Sequence, residues 1–159
     1  MKLLLERWKR FLNEVSEEQL EKMLQLDPWT FDQTQQGWRS LPTEDQKIDA
    51  IRDYLSDPNS GKDKEFPGGK VLNKGIITWH LGQILAIRDN PGDKEEAIKW
   101  MEQSEEPKDP QWNNYVNATI AFLNNDRKSF DEFAKGENYN SSTIERLRDG
   151  WGKSYKEAY

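Results

Sequence analysis

The fold of this chain follows from two stretches, residues 77–104 (ITWHLGQILAIRDNPGDKEEAIKWMEQS) and residues 110–136 (PQWNNYVNATIAFLNNDRKSFDEFAKG). Each stretch has apolar residues at the spacing of an amphipathic helix, then a turn rich in Asn and Asp, then a shorter segment with the same spacing. Trp79 in the first stretch and Trp112 in the second are 33 residues apart. The sequence therefore predicts two helical hairpins of similar length that follow one another along the chain.

The composition predicts a single compact domain. The chain has 159 residues, of which 34% are hydrophobic and 33% are charged, whereas an average globular domain has roughly 25% charged residues. The apolar fraction is small, so aromatic side chains must supply much of the buried area. Seven Trp, six Phe and five Tyr are present for this, and each buries about 150–250 Å² when it is fully enclosed.

The charge balance indicates which partners to expect. There are 29 acidic and 23 basic side chains, which give a net charge of −6. A negative chain repels a polyanion, and the Lys and Arg residues are dispersed among Glu and Asp. We therefore expect no nucleic-acid binding, and we expect basic, apolar or neutral partners.

The cysteine and histidine counts exclude several kinds of site. The chain has no Cys, so a disulfide, a thiolate nucleophile and a Cys-based metal centre are impossible. Its one histidine, His80, cannot form a two-His metal site alone. The opening MKLLLERWKRFL has too short an apolar run for a signal sequence, and no stretch is long enough to span a membrane. We expect a cytoplasmic protein without a cofactor or a metal.

The rest of the chain also shows helical patterns. The sequence as a whole predicts an all-α protein with seven to nine helices and almost no strand. Residues 1–27 are predicted to form N-terminal capping helices, the first of them over residues 2–15, and residues 28–58 a first hairpin. The polar, Gly- and Pro-containing segment 59–72 is predicted to be a flexible loop. Residues 73–140 hold the two hairpin repeats, and residues 141–159 a C-terminal capping helix.

Five helix starts are predicted from capping residues. A Ser or Thr that precedes Glu or Gln by three residues favours an N-cap, and Pro is favoured at the first helical position. Such starts occur at Ser16, Thr30, Thr43, Asp109-Pro110 and Ser142. The helix predicted from Thr30 would bury Phe31, Trp38 and Leu41.

The hairpins carry the residues of a known repeat pattern: Leu81-Gly82, Ala97-x3-Met101, Pro110, Trp112-x2-Tyr115 and Ser129-x3-Phe133. This pattern resembles the tetratricopeptide repeat. Trp79 departs from it by lying one residue too close to Leu81. The resemblance implies a right-handed array of helical hairpins, a tetratricopeptide-like α-solenoid.

A second resemblance covers roughly residues 36 to 159. The segment WNNYVNATIAFLNND and the terminal GKSYKEAY are similar to a group of uncharacterised bacterial proteins with a helical-repeat body. This resemblance implies a shape and no activity.

The predicted function is a protein or peptide interaction module without catalysis. Stacked hairpins create a face that can receive a peptide, and amide and aromatic side chains can bind an extended backbone. The candidate binding residues are Trp79, Trp112, Asn113, Asn114 and Asn117.

An alternative is a small hydrolase or glycan-processing enzyme. It would use His80 or a carboxylate pair in a Trp-lined cleft. The candidate pairs are Glu95/Glu96, Glu105/Glu106 and Asp131/Glu132. A structural or accessory viral protein would differ from the interaction module mainly in its partner. The partner, the source and the oligomeric state stay open.

Overall fold

The structure is a computed structural model, and it describes residues 16–64 and 74–159. Those residues contain helices and no strand, which confirms the all-α prediction. The α-helices are α1 (Glu17–Leu24), α2 (Pro28–Gln33), α3 (Glu44–Ser56), α4 (Lys74–Arg88), α5 (Asp93–Glu102), α6 (Pro110–Leu123), α7 (Arg127–Ala134), α8 (Ser141–Asp149) and α9 (Tyr155–Ala158). Two short 3₁₀-helices cover Trp38–Ser40 and Gly61–Asp63. The predicted helix over residues 2–15 lies outside the described residues.

The chain divides into two compact units, residues 1–70 and 71–159, which we call the N-terminal unit and the C-terminal unit. The boundary falls inside the segment 59–72 that was predicted to be a flexible loop. Residues 61–63 of that segment form a 3₁₀-helix, and residues 65–72 lie outside the described part of the chain.

The core of the N-terminal unit is built around α3. The ring of Tyr54 on α3 stacks on Phe31 of α2, with centroids 3.8 Å apart and planes 6° from parallel. Ile48 and Ile51 are fully buried beside them. The Tyr54 hydroxyl donates a 2.8 Å hydrogen bond to the carbonyl oxygen of Leu26, so the apolar core also holds the turn after α1 in place.

The helix predicted from Thr30 through Leu41 is wrong in both its start and its length. Asp27 is the N-cap and Pro28 the first helical residue, because the Asp27 carboxylate accepts the N–H of Thr30 at 3.0 Å. Thr30 is therefore inside the first turn. The helix ends at Gln33, and the chain resumes as a 3₁₀-helix at Trp38.

The break after Gln33 depends on a close approach of two backbone segments. A Cβ atom on Gly37 would lie 1.8 Å from the carbonyl oxygen of Phe31, so only glycine fits there. Phe31, Trp38 and Leu41 are buried as predicted, but a turn and a 3₁₀-helix place the last two.

The C-terminal unit contains the two predicted hairpins, α4–α5 and α6–α7. The first pair is joined by residues 89–92 and the second by residues 124–126. Helix α5 also packs on α6, so the hairpins contact each other, while α8 packs on α6, and α9 packs on α4 and α8. The N-cap predicted at Asp109 is confirmed, since its carboxylate accepts the N–H of Trp112 at 3.0 Å.

Within the first hairpin, Gly82 sets the distance between the helices. A Cβ atom at this position would lie 2.9 Å from the carbonyl oxygen of Ala97 and 2.8 Å from Cγ of Met101. The glycine and the alanine of the predicted repeat pattern therefore meet at the contact between α4 and α5.

The capping helix predicted over residues 141–159 is two helices. Asn140 is the N-cap of α8, and Ser142, which the sequence predicted as the cap, lies inside the first turn. After α8 ends at Asp149, Ser154 starts α9 with a capping box to Glu157. The sequence carries this signal, a Ser three residues before a Glu, although it was not among the predicted starts.

Candidate functional site

The predicted tryptophans come together on the C-terminal unit. The rings of Trp79 and Trp112, which occupy matching positions of the two hairpins, have centroids 5.3 Å apart and meet edge to face. Tyr115 completes the cluster, 4.8 Å from Trp79 and 5.8 Å from Trp112. Trp79 is only 2% exposed, and the indole N–H of Trp112 donates to the carbonyl oxygen of Ser104 at 2.7 Å. Both rings therefore stabilise the contact between the hairpins.

The predicted asparagines bind neighbouring parts of the same chain. Asn113 accepts the N–H of Glu106 and donates to the Glu106 carbonyl oxygen, both at 2.8 Å. Asn117 donates to the Glu105 carboxylate at 2.6 Å and to the carbonyl oxygen of Asn113 at 2.9 Å. These bonds hold the α5–α6 connection against α6.

Asn114 points to the other connection. Its amide donates to the carbonyl oxygen of Glu137 at 3.1 Å, in the segment between α7 and α8. The three amides therefore have internal partners on two sides of α6, and a role for them in binding a partner stays a prediction.

One carboxylate of each pair in the enzyme hypothesis has a partner within the chain. Glu96 accepts the indole N–H of Trp100 at 3.2 Å, and Glu105 accepts from Asn117. Asp131 pairs with Arg127 at 3.1 Å on one helix. His80 is half-buried on α4 beside Trp79.

A pocket of about 130 Å³ lies elsewhere in the C-terminal unit, and sequence reasoning did not find it. It forms where α4 and α6 end and where α5 and α9 begin, so we call it the turn-end pocket. Its lining residues are Ala86, Asp89, Lys94, Phe122, Leu123, Lys153, Ser154 and Tyr155.

Local geometry explains how the turn between α4 and α5 is held at this pocket. Asp89 follows α4 with a φ of 54° and Gly92 precedes α5 with a φ of 89°, so the chain reverses tightly there. The turn is held by Arg88, which pairs with Asp93 through bonds of 2.8 and 2.7 Å. Asp93 also accepts the N–H of Asn90 at 3.0 Å. These bonds place Lys94, in the first turn of α5, at the pocket.

Tyr155, which lines the pocket, takes part in a buried polar contact. The hydroxyl of Tyr155 accepts a 3.3 Å hydrogen bond from the amide of Gln83. Burial is the main reason that the pKa of Tyr155 lies well above its ordinary value, and the nearby Tyr115 raises it further. Burial likewise raises the pKa of Tyr115. Both phenols are neutral at physiological pH, so Tyr155 adds no charge to the lining of the pocket.

The described residues show neither a metal cluster nor a membrane span. Within residues 16–64 and 74–159, no three acidic or His side chains lie close enough together to hold a metal ion. In the same ranges, no helix combines the length and the apolar character needed to cross a bilayer.

Comparison with known proteins adds no relative. A scan against family models and searches of curated proteins and solved structures found no match to this chain.

Proposed function

We propose that this chain is a protein or peptide interaction module built on tetratricopeptide-like helical hairpins, and that it binds a partner rather than catalysing a reaction. The observation that carries the proposal is the turn-end pocket. It presents a small recess in which apolar side chains lie beside exposed charged ones, a composition that suits one anchoring side chain with polar groups around it.

The repeat part of the proposal is supported by the contact between the hairpins. Trp79 and Trp112 are separated by one repeat length in the sequence and touch in space. Side chains at matching positions meet in this way when neighbouring hairpins stack and bury one shared interior. Gly82 permits the close approach of the two helices that form the first hairpin.

Selection from a displayed library of random peptides on the purified full chain tests the function. We expect enriched peptides to bind the wild-type chain and to lose affinity at least about tenfold for Leu123→Arg, because this change fills an apolar anchor pocket with a charge. Ile120→Arg is the matched control, since Ile120 is also half-buried on α6 but does not line the pocket.

Circular dichroism and thermal unfolding first establish that both variants keep the fold. Peptide binding that is lost only in Leu123→Arg supports the proposal. The absence of any enriched peptide, or an equal loss in both variants, contradicts it.

A further inference from the structure

The floor of the turn-end pocket limits what can enter it. Ala86, Phe122, Leu123 and Tyr155 supply an apolar surface, and the volume is about 130 Å³. An apolar cavity of about 150 Å³ takes up one benzene molecule. The pocket is therefore sized for a single branched aliphatic side chain or one phenyl ring, and it is too small for a folded surface or a helix face.

The mouth of the pocket is more basic than the chain as a whole. Lys94 and Lys153 both line it and both are exposed, whereas Asp89 is its one acidic lining residue. Neither lysine forms a hydrogen bond or a salt bridge within residues 16–64 and 74–159. No described residue occupies either ammonium group, so both can meet a ligand.

Other charged side chains in this region bind partners within the chain. Arg88 and Asp93 bind each other. Ser154 donates its hydroxyl to Glu157 at 2.7 Å, and the backbone N–H of Ser154 donates to the same carboxylate oxygen at 3.1 Å. These two bonds are the main reason for the lowered pKa of Glu157, and Lys153 is a minor one.

We infer that the turn-end pocket binds a short acidic peptide segment in which one aliphatic or phenyl side chain is flanked by Asp or Glu. This inference rests on the proposed function and names its partner. The apolar side chain enters the recess, and the flanking carboxylates meet the lysines that approach from α5 and from the start of α9. The net charge of −6 favours basic partners at long range, but exposed charges are screened over about 8 Å at physiological salt. At contact distance, the two lysines therefore determine that acidic side chains of a peptide are attracted to the pocket.

Synthetic peptides test the inference directly by fluorescence polarisation with the full chain. The probe is labelled GSGDLEGSG, and its matched peptides are GSGNLQGSG without the acids, GSGDAEGSG without the anchor and GSGKLKGSG with the charges reversed. We expect the first to bind at least about fivefold more tightly than the other three, because the acid-free peptide loses two exposed ion pairs and the Ala peptide loses its buried side chain.

Charge reversal on the protein supplies the second arm. The double variant Lys94→Glu/Lys153→Glu should bind GSGDLEGSG at least about tenfold more weakly and should bind GSGKLKGSG more tightly than the wild type does. The matched control is Lys99→Glu/Lys156→Glu, which changes the net charge equally at one exposed lysine of α5 and one of α9 that do not line the pocket. This control should bind all four peptides as the wild type does.

The outcomes separate the inference from the function on which it rests. Library peptides that need Leu123 but carry no acidic residues would overturn the inference and leave the function standing. Equal binding of GSGDLEGSG and GSGNLQGSG, or equal effects of the two double variants, would overturn it as well. If no library peptide binds and GSGDLEGSG does not bind at up to about 1 mM, both the inference and the function are wrong.

Discussion

Among the described residues, each of the two units has a buried aspartate close to a chain reversal, and the two sites differ. In the N-terminal unit, Asp32 is completely buried and accepts the indole N–H of Trp38 at 3.0 Å. In the C-terminal unit, Asp93 is 4% exposed and accepts two hydrogen bonds from Arg88. Asp32 binds a side chain of a 3₁₀-helix across irregular backbone, whereas Asp93 is the first residue of a regular α-helix.

The two units therefore differ in the interactions that stabilise their folded structure. A buried carboxylate is tolerated only when hydrogen bonds satisfy it, and removing it leaves its donors without a partner. In the N-terminal unit, Asp32 connects α2 to the 3₁₀-helix through its hydrogen bond with Trp38. The C-terminal unit has longer helices that pack on each other, and its buried tyrosine hydroxyls need only neutral partners.

The largest expected effect is that of Asp32→Ala compared with Asp93→Ala. We expect Asp32→Ala to lower the free energy of unfolding by about 2–4 kcal/mol, because the buried indole N–H of Trp38 loses its acceptor. Asp93→Ala should cost about 1–2 kcal/mol, since Arg88 can regain water. Urea unfolding followed by tryptophan fluorescence measures both values.

Hydrogen exchange locates the two losses. Asp32→Ala should reduce protection within residues 16–64, and Asp93→Ala within residues 74–159. Equal costs for the two variants, or loss of protection across both units in either one, would contradict the comparison.

An intermediate effect is expected in the tyrosine pair of the C-terminal unit at high pH. An unfolded tyrosine ionises near pH 10, and burial raises the pKa values of Tyr115 and Tyr155 above this. Their stabilising contribution is therefore complete below about pH 10 and is lost as the pH rises toward the folded-state pKa values.

The Tyr155→Phe variant isolates this contribution. At pH 7 it should cost about 1 kcal/mol, because Gln83 loses its acceptor. The difference in stability between the wild type and Tyr155→Phe should shrink as the pH rises above about 10. Urea titrations at several pH values measure it, and a difference that stays constant would show that Tyr155 ionises normally in the folded chain.

The smallest expected effect on stability is the difference between substitutions of two serines near the C-terminus. Ser154→Ala should lower the free energy of unfolding by about 0.5–1 kcal/mol, since it removes the N-cap of α9. Ser142→Ala should change it by less than about 0.5 kcal/mol, because Ser142 caps no helix. Thermal unfolding of the two variants side by side decides this, and a larger loss in Ser142→Ala would favour the original sequence prediction.

Local signals predicted most helix starts, and one of the two errors has a local cause. Ser16, Thr43 and Asp109 are N-caps as predicted. At Thr30, two capping patterns overlap, and the Asp27-Pro28 pair starts the helix because Pro supplies the required φ and needs no N–H partner. At Ser142, Asn140 begins the helix although its side chain makes no capping bond, and the structure offers no local reason for this choice.

The candidate site was predicted only in part. The sequence indicated that Trp79 and Trp112 occupy matching positions, and the structure brings them into contact. It could not show that Asn113 and Asn117 would bind residues of the α5–α6 connection, because such bonds depend on how that connection folds back. An exposed Asn and an internally bonded Asn look the same in a sequence.

Most of the helices could be predicted from the sequence by itself, because helical periodicity, capping residues and Gly or Pro at turns act within a few residues and need no distant partner. The turn-end pocket exists only in the tertiary structure, because its lining residues extend from Ala86 to Tyr155 along the chain. No local pattern links Lys94 to Lys153, or Leu123 to Ala86. They become neighbours only because burial of apolar side chains packs α6 on α5 and α9 on α4, and this packing depends on the shape of the whole unit rather than on any one segment.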